Sequence, residues 1–184
     1  MEGDLGDGPA VDLGCGYGMA LALAAIRHPG RRLIGCDLDR DRVASAGLAL
    51  QPLGAVVAVC DVRSFEMPAS GLIMILDVLQ YLDRSEQLDL LRRCCAALEP
   101  GGRLIFRVHD TERGATSTLS KAFDRVIFRL SGCSSRPTIL PRTEYIHVLA
   151  DAGMDVSERR FVNRLPLAHI LFTARRPAQG ENLV

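Results

Sequence analysis

Apolar residues along this chain come in two rhythms. Short, nearly unbroken runs read as buried strands: Pro9 to Leu13, Ala55 to Cys60 (AVVAVC) and Gly71 to Asp77 (GLIMILD). Between and after them, apolar side chains recur every three or four residues, the period of a helix with one packed face. The order is strand Pro9 to Leu13, helix Met19 to Ile26, strand Arg31 to Asp37, then a helix capped by Asp39 with Val43, Ala46 and Leu50 on one face. Strands Ala55 to Cys60 and Gly71 to Asp77 follow. The β-branched run of the first suits a strand covered on both faces. Asp83 and Glu86 make a capping-box pair. The helix they begin carries Leu88, Leu91, Cys95 and Leu98 on one face and is expected to end at Pro100-Gly101-Gly102, before strand Arg103 to Val108. Further on, Thr116 to Leu130 reads as a helix, Ser131 to Pro141 as a loop, and Arg142 to Ala152 as a helix ended by Gly153. Strands Met154 to Phe161 and Pro166 to Arg175, separated only by residues 162–165, read as an antiparallel pair. Strands alternating with helices predict an α/β sheet with helices on both faces.

Three glycines interrupt the first strand and helix, in Asp12-Leu13-Gly14-Cys15-Gly16-Tyr17-Gly18. Glycine at such a bend permits positive φ and lets a ligand approach bare backbone. Free N–H groups at the following helix start then favour negative charge. A dinucleotide fingerprint would space its glycines G-x-G-x-x-G, which would put Met19 at the last of them. A tight turn holding no ligand also satisfies the pattern. Two further strands end in acids, Asp37 and Asp61, and ligands of open α/β sheets sit outside the carboxyl ends of the strands. Asp37 can accept hydrogen bonds from both hydroxyls of a ribose, or can simply serve as a cap.

The D-x-G-x-G-x-G string resembles motif I of class I S-adenosylmethionine (SAM) methyltransferases. Asp77-Val78-Leu79-Gln80-Tyr81-Leu82 is similar to their segment after strand four, with Gln80 where a histidine is common. Leu98-Glu99-Pro100-Gly101-Gly102-Arg103-Leu104-Ile105-Phe106 resembles the same family. The resemblance covers residues 9–176 and is tightest through residue 108. It implies a Rossmann-like sheet of order 3-2-1-4-5-7-6 with strand seven antiparallel, SAM as cofactor, and methyl transfer with oxygen as the expected acceptor atom. By the same resemblance Asp12, Gly14, Cys15, Gly16, Gly18, Asp37, Leu38, Asp61, Val62 and Asp77 bind the cofactor, Asp61 taking the adenine amino group and the backbone at Val62 an adenine ring nitrogen. The chain reads as one domain over 1–176 and a loose tail over 177–184. The helices that relatives carry before the cradle, which cover SAM, are not evident. A faint resemblance to methyltransferases of aryl-polyene pigment gene clusters touches the C-terminal part.

With 48% hydrophobic and 24% charged residues the composition is that of an ordinary globular protein. No apolar run is long enough to span a bilayer, and the acidic Met1-Glu2-Gly3-Asp4 start lacks the pattern of a signal peptide, so a cytoplasmic location is expected. Six cysteines show neither disulfide nor metal-ligand spacing, and no metal is expected. The zero net charge is uneven: residues 1–102 carry 9 basic and 14 acidic side chains, residues 103–176 carry 13 and 7.

Methyl transfer from a sulfonium requires positioning above all. For a hydroxyl acceptor a base would help, and His109, just past strand five, is the candidate, beside Tyr81 on the acceptor side. Lys121, Arg125 and Arg129 recur every four residues and line one helix face. That ridge suits an anionic acceptor, either a carboxylated small molecule or an aromatic acyl group on an acidic carrier protein, although surface arginines scattered at random would look the same. The acidic N-terminal half and few aromatic residues argue against nucleic acid. Two alternatives stand beside methyl transfer: a SAM-binding or scaffolding remnant without turnover, and an NAD(P)-dependent oxidoreductase. Oligomeric state is unknown.

Overall fold

The computed structural model describes residues 6–109, 138–161 and 169–178. Its centre is a seven-stranded sheet. In chain order the elements are β1 (Ala10–Leu13), α1 (Met19–Arg27), β2 (Leu33–Asp37), α2 (Arg40–Leu50), β3 (Val56–Val59), β4 (Ser70–Leu76), α3 (Arg84–Ala97), β5 (Leu98–His109), α4 (Arg142–Asp151), β6 (Asp155–Phe161) and β7 (His169–Arg175). The strands lie in the order β3-β2-β1-β4-β5-β7-β6. β7 alone runs against its neighbours, pairing antiparallel with both β5 and β6. This is the order and polarity that the resemblance implied.

Two apolar clusters sandwich the sheet. The larger joins Val11, Ile73, Ile75, Phe106 and Phe172 to Leu91 of α3 and Tyr145 of α4. The smaller puts Leu21 of α1 and Leu50 of α2 against Ala10, Leu33, Leu72 and Met74. Successive residues of a strand face opposite layers, so β1, covered on both, is buried throughout. The helix ends follow local chemistry. Asp39 accepts from the N–H groups of Asp41 and Arg42. The Asp83–Glu86 capping box is reciprocal, at 2.8 and 2.9 Å. Gly153, at φ 71°, closes α4 with its N–H on the Ala150 carbonyl.

Two expectations need correction. β3 is not covered on both faces: Val56 is 61% and Val59 45% exposed. It lies at the sheet edge, Val57 meets the α1/α2 layer, and residues 60–69, which lead to β4, contain no helix to cover its other face. Helix α3, moreover, stops at Ala97 rather than at Pro100-Gly101-Gly102. Leu98 is drawn into the core and extends the chain, so the Pro-Gly-Gly run becomes an irregularity inside β5, with the register against β4 shifting between Ser70 and Leu72. A Cβ on Gly102 would come within 2.8 Å of the Glu99 carbonyl oxygen and 3.0 Å of that of Ser70. Close backbone approach, not helix termination, requires glycine there.

No described helix is long and apolar enough to cross a membrane. The expected helix over 116–130, with Lys121, Arg125 and Arg129, lies outside the described residues, as do the 162–165 link and most of the tail.

Candidate cofactor-binding cleft

Gly14, Gly16 and Gly18 all have positive φ, at 75°, 51° and 81°, for different reasons. A Cβ on Gly14 would collide with Val78, and one on Gly18 would lie 2.6 Å from Leu50 Cδ1. Those two glycines are required by packing. A Cβ on Gly16 would meet no atom of the described residues within 4 Å. Gly16 therefore presents bare backbone to open space at the sheet's carboxyl edge, where a ligand can lie directly on it. Beyond it α1 starts with neither a side-chain cap nor an acid in its first turn, which leaves N–H groups available to an anionic group.

Asp37, last residue of β2, ties this turn to the neighbouring strand. Its Oδ2 accepts the Gly16 N–H and its Oδ1 the Asp39 N–H, both at 2.9 Å. Each oxygen retains a lone pair, so an oriented carboxylate faces the cleft. Asp12 lies deeper, within β1, and is 2% exposed. Burial, with the Asp37 carboxylate adding to it, pushes its pKa up to about 7. Cys15 packs in the smaller apolar cluster, and burial pushes its thiol up to about 12, so only its backbone is suited to ligand contact.

The cleft over these residues encloses about 490 Å³, within the range of small-molecule sites. Gly14, Asp37, Leu38, Asp61, Val62 and Asp77 line it, as does Tyr81. The structure thus brings seven of the predicted residues to one cavity. Gly16 and Gly18 belong to the turn beside it, and Asp12 and Cys15 are buried beneath. His109 does not line it: the residue ends β5 and its ring packs at a 39° tilt against that of His169 of β7, centroids 4.7 Å apart.

Several positioning groups were not evident from the sequence. Asp77 is the only non-glycine among the described residues with positive φ, 59°. Arg107, from β5, grips both of its carboxylate oxygens. Gln80 is buried and donates to the Asp77 carbonyl at 2.8 Å, so its side chain braces the backbone there. Arg93 of α3 donates to the carbonyls of Val62 (2.9 Å) and Phe65 (3.2 Å) and holds the loop after β3. Gln87 is fully buried, donates to the Leu82 and Thr138 carbonyls, and accepts from the Tyr145 hydroxyl. A polar residue on an otherwise apolar helix face was the one available hint of it.

A family model described as "Methyltransferase domain" matches residues 10–102. The trans-aconitate 2-methyltransferase of Rhizobium meliloti (strain 1021) is 31% identical over 94% of this chain and 75% of its own length. The chain belongs to the class I SAM-dependent methyltransferases. Among solved structures it resembles an O-methyltransferase family protein from Burkholderia thailandensis, with 26% identity and a TM-score of 0.72, covering 95% of this chain and 52% of that one. The magnesium protoporphyrin IX methyltransferase of Synechocystis PCC 6803, solved with bound S-adenosylhomocysteine (SAH), shares the fold at 20% identity and a TM-score of 0.69, covering 95% of this chain and 77% of that one. The chain spans three quarters of the curated relative and about half of the first of these structures.

The cofactor of this methyltransferase family is SAM, and the open backbone at Gly16 beside the Asp37 carboxylate fits its ribose and methionine portions. Asparagine tolerates the left-handed region better than other side chains. Gly16→Asn is therefore expected to melt within a few degrees of wild type yet bind SAM roughly tenfold more weakly. Calorimetric titration and a melting curve check this. An equal loss of stability and affinity would make the turn purely structural.

Proposed function

We propose that the chain methylates a small carboxylated acceptor on a carboxylate oxygen. The single observation behind this reading is the acceptor-side corner of the cleft. There Arg107 holds the lining residue Asp77, and Tyr81 faces the same space. The relative named trans-aconitate 2-methyltransferase supports an acceptor of this kind. A carboxylate is already a nucleophile at neutral pH and needs no general base, so His109, although proposed above as a base, has no proton to remove in this reaction. SAM supplies the electrophilic methyl group. The chain's own residues hold the ribose at Asp37, the adenine between Leu38 and Val62, and the acceptor toward Tyr81, where placement carries most of the rate. Arg125 and Arg129 are proposed as further contacts for an anionic acceptor, free or on an acidic carrier protein. The family assignment leaves no ground for an NAD(P) oxidoreductase.

The test uses SAM carrying a labelled methyl group and a panel of di- and tricarboxylates, with trans-aconitate among them. Label is expected in a product that mild base releases as methanol, because esters hydrolyse there and ethers and N-methyl groups do not. Base-stable label would overturn the carboxylate assignment. SAM binding without label on any acceptor, carrier-bound acyl groups included, would favour a binding remnant.

A further inference from the structure

Arg63 lines the cleft beside Asp61 and Val62, the pair to which the adenine ring is assigned above. Its guanidinium grips Asp61: Nε lies 3.0 Å from Oδ1 and 2.9 Å from Oδ2, and Nη2 also donates to Oδ2. The Arg63 backbone N–H adds a fourth contact, 2.9 Å from Oδ1. A carboxylate offers about four lone-pair positions, and three N–H groups of Arg63 occupy both of its oxygens, the single Nε hydrogen being shared between them. The remaining guanidinium nitrogen, Nη1, donates at 3.1 Å to Glu86 in the capping box of α3, which pins the arginine over the site from a second element. The pair holds the Asp61 carboxyl below the usual carboxylate range.

We propose that Arg63 is a built-in competitor of the adenine amino group for Asp61, so that cofactor binding requires the guanidinium to give up part of its grip. This rests on the assignment of the cleft to SAM. It makes Arg63 a determinant of cofactor affinity and of how strongly the site prefers a 6-amino purine. The arginine sets the affinity without touching the reacting atoms: each turnover must release SAH, and a competitor for the adenine contact favours release. The side chain is half exposed, at 53%, and salt weakens such pairs. Higher ionic strength should then strengthen binding of the net-neutral product SAH in wild type, the reverse of what a cationic ligand drawn to an acidic cleft would show.

Arg63→Gln removes the guanidinium but keeps the backbone N–H that orients Asp61, and at an exposed position it should fold. The decisive ligands are SAH, which is electrically neutral overall, and S-inosylhomocysteine, its analogue with a carbonyl in place of the 6-amino group. Calorimetry on the full chain is expected to show SAH binding about three- to fivefold more tightly to Arg63→Gln than to wild type, the range of an exposed ion pair. S-inosylhomocysteine, which makes no amino contact, should bind both proteins alike. A similar gain for both ligands would reduce the effect to removal of a charge, and unchanged or weaker SAH binding would show Arg63 to be neutral or a support; either result overturns the proposal. Absence of SAH binding in wild type would instead overturn the assignment of the cleft, and the proposal with it.

Discussion

Asp37→Ala is expected to weaken SAM and SAH binding by the same factor, about ten- to hundredfold. In wild type the carboxylate is already oriented by the N–H groups of Gly16 and Asp39, so the ligand meets an acceptor that needs no rearrangement. Losing two charge-assisted hydrogen bonds to the ribose costs roughly 1.5–3 kcal/mol, which sets that range. The equality matters as much as the size. SAM and SAH differ at sulfur and share the ribose, so a residue acting on the ribose cannot tell them apart. Titration of both ligands, with circular dichroism to show that the variant is folded, checks the result. Unchanged affinity would place the ribose elsewhere, and a loss confined to SAM would mean that Asp37 acts through charge on the sulfonium.

The residues that line the candidate cleft were legible because the patterns that place them are local. A glycine turn needs particular residues at particular spacings, and Asp37 ends β2 while Asp61 lies two residues past β3, so strand order alone brings them to one edge. Even so, spacing could not separate Gly14 and Gly18, confined by Val78 and Leu50, from Gly16, which opens outward, because those neighbours come from distant parts of the chain. The supporting residues were hidden for the same reason. Arg93, Arg107 and Gln87 each reach across 28 to 51 residues of sequence to bond a backbone or carboxylate that no local pattern links to them. β3 was misread because a β-branched run specifies a strand without specifying how many layers will cover it. The length of α3 was misread because Pro-Gly-Gly stops helices in general, whereas here burial of Leu98 ends the helix first.

Asp12→Asn is expected to stabilise the protein at pH 8 and to lose most of that advantage by pH 5. The carboxyl sits within β1 at 2% exposure, and burial first, then the Asp37 charge, raises its pKa from 3.8 to about 7. Between those values the folded chain keeps a proton that the unfolded chain has released. Stability therefore falls as pH rises through this window, and the whole cost is present above about pH 7. The pKa gap corresponds to roughly 4 kcal/mol as an upper bound. Asparagine has nearly the same shape and no charge to bury. For a chain of this size, stabilisation of that order is worth about 8–16 °C in Tm, and the neighbouring Asp37→Ala change should remove part of it by lowering the Asp12 pKa. Melting curves of wild type and Asp12→Asn at pH 5 and pH 8 decide the matter: a difference that does not grow with pH would show that Asp12 is not an ionised burden above neutrality. Binding should move the opposite way. SAM brings a cationic sulfonium and ammonium into the cleft above this residue, and favouring them requires Asp12 ionised. Wild-type affinity for SAM should then rise from pH 6 to pH 8 with proton release, while that of Asp12→Asn stays weaker and flat. A charge that destabilises the empty fold and favours the cationic cofactor is what a binding site, rather than a structural turn, would retain.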